Sequence, residues 1–180
     1  MGGWYGEDLA YIHDVEHADF ALDSAPGILD ILERSGIGEG LVVDLGCGAG
    51  LLTRELIDAG YGVFGVDISG AMIRIARRRA PEAEFQAGSL FEVDLPSCAA
   101  VTAISEVLNY LFDPENLGLG RVFRHVYDTV APGGVFVFDV LGPGQVPVGT
   151  TAKGFSVGRT GWSSPSGRRI PGGARWGDVS

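Results

Sequence analysis

The chain has 180 residues, 46% hydrophobic and 20% charged, which is enough for one domain with its own core. Its formal net charge of −10 argues against a nucleic-acid surface, which needs clustered lysine and arginine. Two cysteines exclude a disulfide framework, no charged-then-apolar leader is visible, and no apolar run nears the roughly 20 residues of a membrane span, so a cytoplasmic protein is expected.

The acidity is uneven. Residues 1–149 hold 22 acids against 8 arginines, whereas residues 150–180 hold 5 basic residues and 1 acid. Such a sign change marks the tail as different in kind. In chain order, residues 5–17 form an arm carrying Tyr11, His13, Asp14 and His17. They include no cysteine and no tight histidine pair on one face, so no metal is expected.

Residues 26–35 place Ile28, Leu29, Ile31 and Leu32 on a helical stripe, with Pro26 near its start and Gly36 at its end. Residues 40–45 form an apolar run that suits a strand buried on both faces. LLTRELIDAG then predicts a helix with Leu51, Leu52, Leu56 and Ile57 inward and Gly60 as its stop. YGVFGVD is a second strand. Ser69 is a good N-cap for AMIRIARRRA, whose Met72, Ile73, Ile75 and Ala76 face in. AEFQAG and AAVTAIS are the third and fourth strands. PENLGLGRVFRHVYDTV predicts a helix burying Leu119, Val122, Phe123, Val126 and Val130. APGG is a turn before a fifth strand, VFVFDV. Strands alternating with helices mean βαβ units: an α/β, Rossmann-like, mostly parallel sheet covered on both faces. From Gly142 to Ser180 about half the residues are Gly, Pro or Ser, and the tail reads as largely disordered.

The stretch VVDLGCGAG, residues 42–50, carries the functional signal. Gly46, Gly48 and Gly50 alternate directly after a buried strand. That is more glycine than a tight turn requires. At the carboxyl edge of a parallel sheet, glycine lets a ligand approach the backbone, and the next helix offers free N–H groups. The spacing misses the dinucleotide pattern G-x-G-x-x-G, because Leu51 and Thr53 stand where glycine is needed, and the P-loop lysine is absent.

What the stretch resembles is motif I of class I S-adenosylmethionine-dependent methyltransferases, D-x-G-x-G-x-G. Asp44, Gly46, Gly48 and Gly50 match it in full. The resemblance runs over about residues 7–149. It implies S-adenosyl-L-methionine as cofactor, with Asp44, Gly46, Cys47 and Gly48 around it. It implies that Asp67, ending the second strand, accepts hydrogen bonds from both ribose hydroxyls, which suits an acceptor-only carboxylate. It implies that Ile68 packs on adenine, with Met72 either helping or serving the core. Ser89 and Leu90 stand where the family often has an acid that holds the adenine amino group. Glu106, in ISEVLNYLFD with Ser105, Asn109 and Tyr110, would face the cofactor or the methyl acceptor. Cys47 lacks a base partner and reads as packing in the loop.

On that resemblance, residues 1–36 are a helical lid, 37–141 the cofactor-binding core and 142–180 a tail. The expected product is a methyltransferase acting on a small-molecule acceptor, with Glu106 and His13 as the candidates for a catalytic base. Two alternatives stand: a cofactor-binding but inactive fragment, and a nicotinamide-dependent oxidoreductase, which Asp67 would permit but the glycine spacing disfavours. Family members have seven strands in the order 3-2-1-4-5-7-6. Five are placed here, in the order 3-2-1-4-5, and the tail lacks the pattern for the last two, so a truncated or frame-shifted C-terminus is expected. Val135, Phe136, Val137 and Phe138 would then lie on an open edge short of cover, inviting self-association.

Overall fold

The computed structural model of the chain describes residues 18–110, 118–140, 155–157 and 162–163. Its elements are α1 (Ala18–Arg34), β1 (Leu41–Leu45), α2 (Leu51–Asp58), β2 (Gly62–Asp67), α3 (Gly70–Arg79), β3 (Glu84–Ala87), β4 (Cys98–Ala103), a 3-10 turn (Val107–Tyr110), α4 (Gly118–Thr129), β5 (Val130–Phe138), β6 (Phe155–Val157) and β7 (Trp162–Ser163). They form one sheet in the order β3-β2-β1-β4-β5-β6-β7. The first five strands are parallel, and β6 and β7 are antiparallel to their neighbours.

Strands β1, β2, β4 and β5 alternate between two cores, as the pleat requires, whereas the edge strand β3 buries only Phe85. Val42, Val63, Ala100, Val135 and Val137 face α1 and α2, where they meet Ile28, Leu32, Leu52 and Leu56. Val43, Leu45, Val66, Val101 and Ala103 face the other way, toward Val122 and Val126 of α4. The strand order reverses between β1 and β4, so the loops following these two strands meet at the switch point of the sheet.

Four local expectations are corrected. Helix α1 begins well before Pro26 and contains it. The proline removes one donor and leaves the Leu22 carbonyl unpaired within the helix. Leu22 and Pro26 both lie on the exposed face, where water can take that role. The C-terminus is as expected: Gly36, at φ 77°, donates to the Glu33 carbonyl, and Ile37 N–H donates to Leu32. Leu119 is not buried but 44% exposed, and Val130 belongs to β5 rather than to α4.

APGG is not a turn outside the strand. It lies within β5, where the register with β4 slips between Cys98 and Ala100 to absorb the extra residues. Finally, the sheet does not end at β5. Strand β6 pairs with Val137 and Phe138, and β7 pairs with β6. These are consecutive strands, three and two residues long, joined in chain order rather than in the family's 5-7-6 order. The four apolar residues expected to lack cover are packed: Val135 and Val137 are buried, and the rings of Phe136 and Phe138 meet Phe123 of α4 edge-on at 5.6 and 5.3 Å.

Candidate cofactor-binding site

The three glycines after β1 all adopt left-handed backbone, with φ of 69°, 52° and 78°, which explains the residue type at each. Their surroundings differ. A β carbon on Gly46 would run into Val107 of the turn after β4. One on Gly50 would press on Ala76 of α3, at 3.0 Å from its Cβ and 3.1 Å from its Cα. One on Gly48 would meet nothing within 4 Å. Two of the glycines thus seat the loop against the protein, and the middle one faces open space.

Asp67 closes this loop from β2. Its Oδ2 accepts the Gly48 N–H at 2.9 Å and its Oδ1 accepts the Ser69 N–H at 2.7 Å. The carboxylate is therefore oriented by two backbone donors. Ser69 caps α3, its hydroxyl accepting the Met72 N–H at 3.3 Å. Ile68, between them, is 76% exposed, an isolated aliphatic side chain at the mouth of the site. The Gly88 N–H donates to the Asp67 carbonyl at 2.9 Å, which brings Ser89 beside the end of β2. The Ser89 hydroxyl accepts the Phe91 N–H at 3.3 Å. Leu90 turns toward the core under α4.

Asp44 lies beneath the loop and is buried. Its two oxygens accept the hydroxyls of Thr53, at 2.7 Å, and Thr102, at 2.9 Å. Burial pushes its pKa up to about 6, against the pull of these two hydrogen bonds. The sequence reading missed both threonines. The signal was a hydroxyl at each of two inward positions, in α2 and in the apolar strand AAVTA.

Cys47 turns inward among Ile73, Ala76 and Phe85, and burial holds its thiol well above the usual range. Gly65 makes room for it, since a β carbon there would stand 3.0 Å from the sulfur. The side chain packs rather than reacts. Arg79 adds a further tie, donating to the Ala49 carbonyl at 2.6 Å.

A cavity of about 80 Å³ opens at the loop, walled by Asp44, Gly48, Met72, Ile104, Ser105 and, from α1, Ala21. Met72 is thus both core and wall. A larger groove of about 610 Å³ runs elsewhere, between Leu90, Phe91 and the α4 residues Arg121, Arg124 and His125. Neither Asp67 nor any loop glycine lines it, so the larger space is not where the glycine-loop chemistry lies. Glu106 does not line this cavity and is held through its backbone: its N–H donates to Asp139 Oδ1 at 2.9 Å, and its carbonyl accepts the Asn109 N–H at 2.7 Å. Tyr11, His13, Asp14 and His17 lie outside the described residues. No helix among the described residues is long and apolar enough to cross a membrane.

A parallel sheet of order 3-2-1-4-5, a glycine loop at its switch point and an aspartate ending the second strand define a class I S-adenosylmethionine-dependent methyltransferase. Residues 42–134 match the family described as a methyltransferase domain, and the chain belongs to that family. S-adenosylmethionine is its cofactor. A relative from Streptomyces fradiae, dTDP-3-amino-3,6-dideoxy-alpha-D-glucopyranose N,N-dimethyltransferase, is 30% identical over 176 residues, covering 91% of this chain and 68% of the relative. Other curated relatives match over 55–61% of this chain and only 40–50% of their own length.

Among solved structures, a sugar N-methyltransferase from Streptoalloteichus is 25% identical, with TM-score 0.67, covering 82% of this chain and 61% of that one. A SAM-bound amino pentose methyltransferase from Micromonospora echinaspora, 22% identical with TM-score 0.64, shares the fold over 78% of this chain and 58% of that one.

Proposed function

We propose that the protein methylates an amine on a small sugar acceptor, using S-adenosylmethionine. The observation that carries the cofactor site is the arrangement of Asp67, Gly48 and Ile68. An oriented carboxylate, an open glycine and an exposed aliphatic side chain stand together at the switch point. They suit a ribose, a closely approaching chain and an aromatic base in turn. Ser89 stands where it can add a hydrogen bond to the base. The similarity to the amino-sugar N,N-dimethyltransferase over most of the chain supports the acceptor class.

Bound S-adenosylmethionine supplies a methyl group activated by a positive sulfur. The chain's own task is to align the acceptor nitrogen and exclude water. In this reading Glu106 and His13 are the groups available to take the amine proton.

Calorimetric titration with S-adenosylmethionine tests the site. Asp67→Ala removes an acceptor-only group whose hydrogen bonds are worth about 1.5–3 kcal/mol, so the affinity should fall by roughly tenfold to a hundredfold. Equal binding by a folded variant would remove the ribose assignment. Turnover on a nucleotide-linked amino sugar tests the acceptor. Tight binding with no turnover on any amine would favour the inactive alternative, and binding of a nicotinamide cofactor instead would favour the oxidoreductase.

A further inference from the structure

The turn after β4 contains a backbone feature that the glycine loop does not explain. Ser105 and Glu106 have φ of 71° and 58°, two successive non-glycine residues in the left-handed region. L-residues rarely adopt that conformation, and strained pairs persist only where surrounding groups hold them. A buried carboxylate holds this pair. Asp139, directly after β5, is 4% exposed, and its Oδ1 accepts the Glu106 N–H at 2.9 Å. A backbone hydrogen bond from Ser105 to the same carboxyl and the nearby charge of Glu106 also act on it. The Asp139 N–H in turn donates to the Ala103 carbonyl at 3.3 Å, which fixes the aspartate at the end of β4.

What the turn carries lies in the cofactor site. Ser105 walls the cavity beside Asp44 and Gly48, and Val107 occupies the space that a side chain on Gly46 would need. The chain of contact runs from Asp139 to the Ser105 and Glu106 backbone, then to Val107, then to the glycine loop.

We propose that Asp139 is a positioning residue for the cofactor site: its carboxylate holds Ser105 and Glu106 in left-handed backbone and so seats Val107 and Ser105 against the glycine loop. The inference rests on the methyltransferase reading. It goes further by assigning a role to a residue that touches neither the loop nor the cavity. Without the anchor, the turn populates ordinary right-handed or extended backbone, and only the fraction still in the left-handed arrangement binds normally.

The experiment uses the full chain as wild type, Asp139→Asn and Asp139→Ala. Each is measured by S-adenosylmethionine calorimetry and by amide hydrogen exchange across residues 104–108, with a thermal melt as the folding control. Asparagine keeps a carbonyl acceptor, whereas alanine offers none. The expected result is that Asp139→Ala raises exchange at residues 104–108 and weakens binding about tenfold while melting cooperatively, as a turn competent about a tenth of the time would. Asp139→Asn should stay within about threefold of wild type.

Wild-type affinity in Asp139→Ala, or increased exchange spread evenly over the sheet, would overturn the proposal. So would equal losses in the asparagine and alanine variants. Normal protection at residues 104–108 in a wild type that binds no S-adenosylmethionine would overturn the functional reading instead, because exchange reports the anchor without any ligand.

Discussion

The loop after β1 places its three left-handed residues on glycine, whereas the turn after β4 places two on Ser105 and Glu106. The two segments touch through Gly46 and Val107, so they shape one site by different means. Glycine adopts this backbone freely and needs no partner to keep it. A serine and a glutamate must be held, at a cost of roughly 1–2 kcal/mol each for left-handed backbone. The glycine loop is therefore a local property of its own sequence. The second turn depends on a carboxylate 33 residues further along the chain.

The largest effect should come where the two segments meet. Gly46→Ala combines an unfavourable φ of 69° with a β carbon driven into a branched valine. Overpacking and backbone strain together should lower stability by about 2–4 kcal/mol in urea denaturation and abolish S-adenosylmethionine binding. A loss well below that range would mean Val107 gives way easily, and the contact between the two segments would be loose.

Each segment also has a buried carboxylate behind it, Asp44 under the glycine loop and Asp139 behind the turn. Burial is the main cause in both, and each pKa is pushed up to about 6 from 3.8. A folded-state value above the unfolded one means the native state binds more protons between these limits. Each group's contribution to stability is then fully present below about pH 4 and falls as pH rises to about 6. Asp44→Asn cannot ionise. The difference in unfolding free energy, wild type minus variant, should therefore become more favourable to wild type by about 1–2 kcal/mol on going from pH 7.5 to pH 5. Asp139→Asn should show a change of similar sign. A pH-independent difference for Asp44→Asn would mean that the Thr53 and Thr102 hydroxyls hold the carboxylate ionised throughout.

The same division decides what the sequence could disclose. Glycine after a buried strand, Ser69 before a helix and Gly36 and Gly60 after helices are local signals, and each stands where the pattern placed it. Asp67 was legible because it ends a strand at a fixed distance from the loop. Asp139 was not, because it stands in VFVFDV like any residue leaving a strand, and its partner is far away in sequence. Thr53 and Thr102 were hidden for the same reason, since each is explained only by Asp44. Pro26 misled as a helix start because the cost of a proline inside a helix depends on whether the orphaned carbonyl faces water. Strands β6 and β7 carry too few residues for any period to register, and the pairing of β6 with β5 and of β7 with β6 supplies what the pattern lacked.

The smallest expected effect tests the strain in the turn after β4. Ser105→Gly relieves left-handed strain of about 1–2 kcal/mol, but glycine also widens the unfolded ensemble by roughly 0.5–1 kcal/mol. The net should be a gain of about 0–1.5 kcal/mol, read as a small rise in the urea midpoint. Gly60→Ala puts the opposite change at φ 95°, again with nothing within 4 Å of the new β carbon, so backbone strain alone should lower stability by about 1 kcal/mol. Opposite signs at two positions of similar backbone would show that the turn after β4 carries strain in the native state. A loss at both would mean that the Ser105 side chain makes a contribution larger than the strain it brings, and the serine itself, rather than its backbone, would be what the turn is built to present.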